Sequence, residues 1–176
     1  MKRIILIMAC LIFSGGIGAE EVLHEEYQVK AAFIYNILKF VDGLSGTTQE
    51  LKFCIVGQNP FSQVMSSIEG KTIKDRKIVT KLFKAPSDSK DCQVFFFSQS
   101  EKGSLKEIMS TIKPEGVLTM GDTPGFETQG VVVNFYLQEK SVRFWINLDS
   151  AKAAGLKFDS RLLKLANVIG AKVPRI

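Results

Sequence analysis

The sequence predicts an α/β protein: a single-domain sandwich with a central, mostly parallel sheet, a C-terminal antiparallel hairpin and flanking helices. Three observations carry this. Strand-like apolar runs alternate with helix-like segments across residues 51–121. The run QVFFFS (93–98) is apolar almost throughout, as a strand covered on both faces of a parallel sheet must be. Beyond residue 130 the pattern changes to two strand-like runs joined at Gln138-Glu139-Lys140-Ser141, which reads as a hairpin at the sheet edge. Together these give a layering of the Rossmann kind.

The chain opens with Lys2 and Arg3, an apolar run from Ile4 to Phe13, small residues, and then two acids. That is the layout of a secretory leader with a small-residue cleavage site. The expected cut follows Ala19, leaving residues 20–176 as one α/β domain. The run is too short for a bilayer span, which takes roughly 20 apolar residues. A lipoprotein reading through Cys10 leaves only a stub of apolar core before the cysteine. The protein is therefore expected to be exported, periplasmic and not membrane-spanning. Its formal charge of +5 is spread along the chain with no dense basic tract, which argues against a nucleic-acid partner.

Residues 21–42 predict a long helix, with Tyr27, Ala31, Ile34, Leu38 and Val41 at helical spacing. A second row, Phe33, Ile37 and Phe40, widens the apolar arc to about half the circumference. Two explanations stand: deep burial under a second layer, or contact with a second protein chain. LKFCIVG (51–57) is a strand ending in glycine, followed by a turn and a short helix at 60–68 opened by Pro60. RKIVTKLF (76–83) is the second strand and QVFFFS the third. Residues 100–112 form a helix and EGVLTMG (115–121) the next strand. The hairpin follows, with Asn134 and Asn147 inside apolar runs, either capping loops or facing a ligand. A short helix at 150–156, stopped by Gly155, and a last helix at 159–170, capped by Asp159 or Ser160, complete the chain.

Crevices at the carboxyl ends of parallel strands are where such sheets bind ligands. Asn59 in the turn after the first strand, and Asp122 and Thr123 in GDTPGF (121–126), are candidates to line one. An ordinary tight turn is the plainer reading of both segments. Arg161, in the first turn of the last helix, is a candidate anion holder or a surface ion-pair member. No catalytic arrangement emerges. The one histidine, His24, would have to serve every role, and no C-x-x-C or metal-ligand cluster occurs, so neither cofactor nor metal is expected.

Cys54 and Cys92 remain after the leader. Both sit at strand starts, and an oxidising compartment favours pairing them. A Cys54–Cys92 disulfide is expected, with two inert buried thiols as the alternative. Such a bond would stabilise the fold by about 4 kcal/mol in the chain-entropy account.

Five stretches carry a resemblance: EYQVKAAFIYNILKFV (26–41), CIVGQNPF (54–61), DCQVFFFS (91–98), VLTMGDTPGF (117–126) and residues 131–166. In order and spacing they resemble the YfiR/HmsC-like family of periplasmic proteins. The resemblance implies a homodimeric periplasmic regulator that restrains a YfiN-like inner-membrane diguanylate cyclase through its periplasmic domain, lowering cyclic di-GMP and biofilm formation. It also fits a disulfide between Cys54 and Cys92. A C-terminal cysteine pair found in the family has no counterpart, since residues 118–152 lack cysteine. The alternative is a periplasmic small-ligand module without a cyclase partner.

Overall fold

The computed structural model describes residues 17–83 and 91–170. The expected leader lies outside them up to residue 16. The chain opens with α1 (Ile17–Phe40) and the two-residue strand β1 (Val41–Asp42). Next come β2 (Glu50–Val56), a 3-10 segment at Ser62–Ser67, β3 (Thr72–Ile73), β4 (Arg76–Phe83) and β5 (Val94–Phe97). α2 (Leu105–Thr111), β6 (Leu118–Gly121) and a 3-10 turn at Phe126–Gln129 lead into the hairpin β7 (Val133–Gln138) and β8 (Ser141–Asn147). α3 (Leu148–Ala153), β9 (Lys157–Phe158), α4 (Ser160–Leu163) and β10 (Asn167–Ile169) close the described chain.

Eight strands form one sheet in the order β10-β8-β7-β6-β5-β2-β4-β3, and β1 pairs with β9 apart from it. β4, β2, β5, β6 and β7 run parallel, β7 and β8 are the antiparallel hairpin, and β3 returns antiparallel on β4. The α/β class, the mostly parallel centre and the C-terminal hairpin agree with the sequence.

Alternation along the strands divides the core into two layers. Leu51, Phe53 and Ile55 of β2, Val94 and Phe96 of β5, and Phe135 of β7 point to one face. There they meet Tyr27, Ala31, Ile34, Ile37 and Leu38 of α1, all at most 9% exposed. Cys54, Val56, Phe95 and Phe97 point to the other face and pack under Leu105 and Ile108 of α2. The triple phenylalanine is thus split, with one ring toward α1 and two toward α2. The Cys54–Cys92 disulfide lies in the second layer, its Cα atoms 6.1 Å apart, and ties β2 to the segment just before the neighbouring β5.

Local chemistry sets several boundaries. Asn147 caps α3 by accepting from the Ser150 N–H at 2.9 Å, and Asp159 caps α4 by accepting from Arg161 N–H at 2.8 Å. The helix expected at 100–112 is broken before Leu105 around Gly103, leaving a 3-10 turn and then α2. The helix expected at 159–170 is corrected: α4 ends at Leu163, and Asn167–Ile169 instead pairs in parallel with Trp145–Asn147. Val168 and Ile169 are β-branched, and the open edge of β8 supplies the hydrogen bonds that a helix would have supplied internally.

Candidate functional site

From β2 the chain steps to β4 on one side, and β5 then lies on the other side of β2. The carboxyl ends of β2 and β5 therefore form the switch point at which an α/β sheet offers a crevice. This chain fills that point with its own side chains. Gln58 N–H donates to Ser100 Oγ at 3.0 Å, and Ser100 Oγ donates to Glu101 Oε1 at 2.9 Å. Ser104 Oγ holds the other Glu101 oxygen at 2.8 Å. Gly57 makes the close approach possible: at φ +89° its missing Cβ would lie 2.3 Å from Ser100 Oγ. The Glu101 carboxylate thus takes the serine hydroxyls that a bound anion would need. Asn59 is a turn residue here, its Oδ1 accepting from Phe61 N–H at 3.0 Å.

Asp122 follows β6 and faces α1. Its Oδ2 accepts from the Tyr27 hydroxyl at 2.6 Å and from Lys30 Nζ at 2.7 Å. Lys30 also pairs with Glu26 one turn earlier on α1 and sits 4.2 Å from the centre of the Tyr27 ring. The side chains of Lys30 and Asp122 are each only 4% exposed. Burial first, and then the adjacent Asp122 carboxylate, push the Tyr27 hydroxyl far above its usual range, so it stays a donor. Tyr27 also meets Phe61 edge-on at 5.1 Å. The cluster latches α1 across the carboxyl ends of the strands and excludes solvent from Asp122.

Thr123 is 1% exposed, on the loop beside this latch. Its carbonyl accepts from Asn134 Nδ2 at 2.9 Å, and the same amide donates to Glu127 Oε2 at 2.7 Å. Asn147 Nδ2 donates to the Glu127 carbonyl at 2.9 Å. Both strand asparagines therefore brace the loop at 123–127. Thr123 Oγ1 and Asn134 Oδ1 are buried without a hydrogen-bond partner among the described residues.

Arg161 stands elsewhere. It pairs with Asp159 at 2.8 Å and lies 4.9 Å from the Phe40 ring, at the far end of α1. Ten residues of helix separate Lys30 from Phe40, about 15 Å at the α-helical rise. The fold thus brings Asn59, Asp122 and Thr123 to the carboxyl end of the sheet and leaves Arg161 apart. The second row of α1 also divides. Phe33 is half-buried against Phe144 at 5.4 Å and Phe135 at 6.5 Å. Phe40 is half-buried under Arg161, and Ile37 has no exposed surface, so its place is inside the protomer rather than on a contact face.

His24 is exposed and bonded to Gln28 at 2.8 Å. No three of the described His, Cys, Asp and Glu residues converge as metal ligands would. No described helix is long and apolar enough to cross a membrane. Sequence reasoning missed Lys30 as a site residue. The signal was present: Lys30 lies between Tyr27, Ala31 and Ile34 on the buried stripe, four residues after Glu26.

A family model described as YfiR/HmsC-like matches residues 27–167. No curated protein matches the chain.

Proposed function

Because this chain belongs to the YfiR/HmsC-like family, we propose that it is an exported, non-catalytic regulator that holds a YfiN-like inner-membrane diguanylate cyclase inactive by binding its periplasmic domain. The family regulates diguanylate cyclases in the periplasm. The family match over residues 27–167 carries the reading. Two features support it: a disulfide suited to an oxidising compartment, and a charged cluster consumed by an internal latch rather than offered to a substrate. The contact inhibits only in so far as it favours the inactive state of the cyclase.

The contact we assign is the outer line of α1. Val22, Val29, Phe33 and Phe40 recur at helical intervals and align along one side. Val22 is 65% and Val29 44% exposed, while the two phenylalanines are partly buried beside them. The same line is the surface through which two copies would form a homodimer.

Deleting the gene should raise intracellular cyclic di-GMP and biofilm, and restoring it should reverse both. A Val29→Glu variant that keeps the wild-type melting temperature should fail to reverse them. Unchanged cyclic di-GMP on deletion, with the cyclase expressed, would overturn the regulatory reading. Full repression by Val29→Glu would leave that reading standing and overturn the assigned contact.

A further inference from the structure

A groove of about 600 Å³ lies between α1 and the 3-10 segment at Ser62–Ser67, away from the Asp122 latch. Its volume falls within the roughly 300–1,000 Å³ typical of small-molecule sites. Val64 and Ile68, both buried, form an apolar floor. Above it stand Tyr35 and Asn36 from α1 and Gln63 and Lys71 from the other wall.

His24 and Gln28 at one end of the groove bond to each other, and Ser66 Oγ donates to the Gln63 carbonyl, but the polar groups between them are unspent. No intramolecular hydrogen bond engages the Tyr35 hydroxyl or the side-chain amides of Asn36 and Gln63 among the described residues. Lys71 Nζ lies 5.0 Å from the centre of the Tyr35 ring, and Lys39 Nζ approaches the same ring at 5.5 Å. Neither ammonium is paired with a carboxylate among the described residues, and no carboxylate lines the groove. The charged cluster around Asp122 is the opposite case, since Lys30 and Asp122 are paired with each other and enclosed.

We propose that this groove binds a small organic anion, a carboxylate or a phosphate monoester, with Lys71 holding the charge. Tyr35, Asn36 and Gln63 orient the polar groups of the ligand, and Val64 and Ile68 receive its apolar part. The ammonium is already poised over the groove by the Tyr35 ring, so less side-chain freedom is lost on binding. The site goes beyond the regulatory reading above and does not depend on which partner the protein meets.

The test is an NMR titration of the purified protein with benzoate, phenyl phosphate and neutral benzyl alcohol, each up to about 10 mM, a range that reaches millimolar affinities. Benzoate or phenyl phosphate should give saturable shifts confined to residues 28–39 and 63–71, with affinity at least tenfold above that of benzyl alcohol. Preference for benzoate identifies a carboxylate site, and preference for phenyl phosphate a phosphate site. Lys71→Met should weaken binding at least tenfold at an unchanged melting temperature, as expected for loss of a charge-assisted bond. Should that variant not fold, Asn36→Ala should show a smaller loss in the same direction. Absence of saturable shifts with both anions, equal binding of benzyl alcohol, or full affinity in the folded variants would overturn the proposal.

Discussion

The two halves of the sheet are built differently. Strands β2, β5 and β6 are covered on both faces, by α1 on one side and by α2 and the disulfide on the other. All four residues of β5 are buried, and so are all four of β6. The hairpin β7–β8 is enclosed at its base, where Val133, Asn134 and Phe135 are all buried, but β8 is covered on one face only. Val142, Phe144 and Ile146 are buried toward α1, while Ser141, Arg143 and Trp145 turn outward, exposed or half-buried. On that outer face Trp145 packs on Tyr136 at 5.7 Å, and Asn167 donates to the Tyr136 hydroxyl. One half is thus a closed core, and the other presents aromatic and polar side chains to whatever lies beside it. Stability should concentrate in the first half and tolerance of change in the second.

The largest expected difference comes from truncating one aromatic ring in each half. Phe96 is fully buried and packs on Phe61 at 4.7 Å and Phe53 at 6.5 Å. Phe96→Ala should cost about 4 kcal/mol, combining lost burial with a cavity that its ring neighbours cannot close. Trp145→Ala removes one half-buried ring pair and should cost about 1 kcal/mol. Chemical denaturation of the two variants measures both. Equal losses would mean that the outer face of the hairpin is as much a part of the core as β5.

A smaller loss should follow from cutting the latch that holds α1 across the closed half. Lys30→Met leaves the Asp122 carboxylate buried with Tyr27 as its remaining donor. Breaking a buried pair on one side typically costs 3–5 kcal/mol, and the retained Tyr27 bond places this variant near the lower end, about 3 kcal/mol. Adding Asp122→Leu should recover part of that loss, because the buried carboxylate is then gone and only the more exposed Glu26 has lost its partner. A double variant less stable than Lys30→Met would show that Asp122 serves the fold by some route other than its pairing with Lys30.

The contrast between the halves also explains what was legible in the sequence. QVFFFS announced a doubly covered strand because its run is apolar almost throughout, and β7–β8 announced a hairpin because two strand-like runs meet at Gln138-Glu139-Lys140-Ser141. Cys54 and Cys92 were paired on the expectation of neighbouring strands, and the structure places Cys54 within β2 and Cys92 just before its neighbour β5. Asp122 and Thr123 were found because their loop ends a strand, but what Asp122 meets was not legible. Its partners Tyr27 and Lys30 lie more than ninety residues earlier in the chain, on a helix read for its apolar spacing alone. β10 was hidden for a related reason: three residues with the spacing of a helix become a strand only because β8 has an open edge. The groove at Tyr35 and Lys71 arises from two segments laid side by side, and no local pattern records that.

The smallest effect belongs to the exposed end of the hairpin half, where Asp159 and Arg161 form a surface pair beside β9. The hydrogen bonds from Arg161 hold the Asp159 carboxyl at about 2, below its ordinary 3.8. A carboxyl whose value is depressed on folding contributes stability above the unfolded value, and that contribution is lost as pH falls through the folded value. The window is therefore pH 4 down to pH 2. Asp159→Asn keeps an oxygen that can cap α4 but removes the charge. Wild type should melt slightly above this variant at pH 5 and together with it near pH 2, and added salt should shrink the pH 5 gap, because the pair is exposed and screened. A gap that survives unchanged at pH 2 would show that the role of Asp159 does not rest on its charge. The outermost part of the molecule would then not depend on ion pairing, any more than does the loop that Asn134 and Asn147 brace by hydrogen bonds.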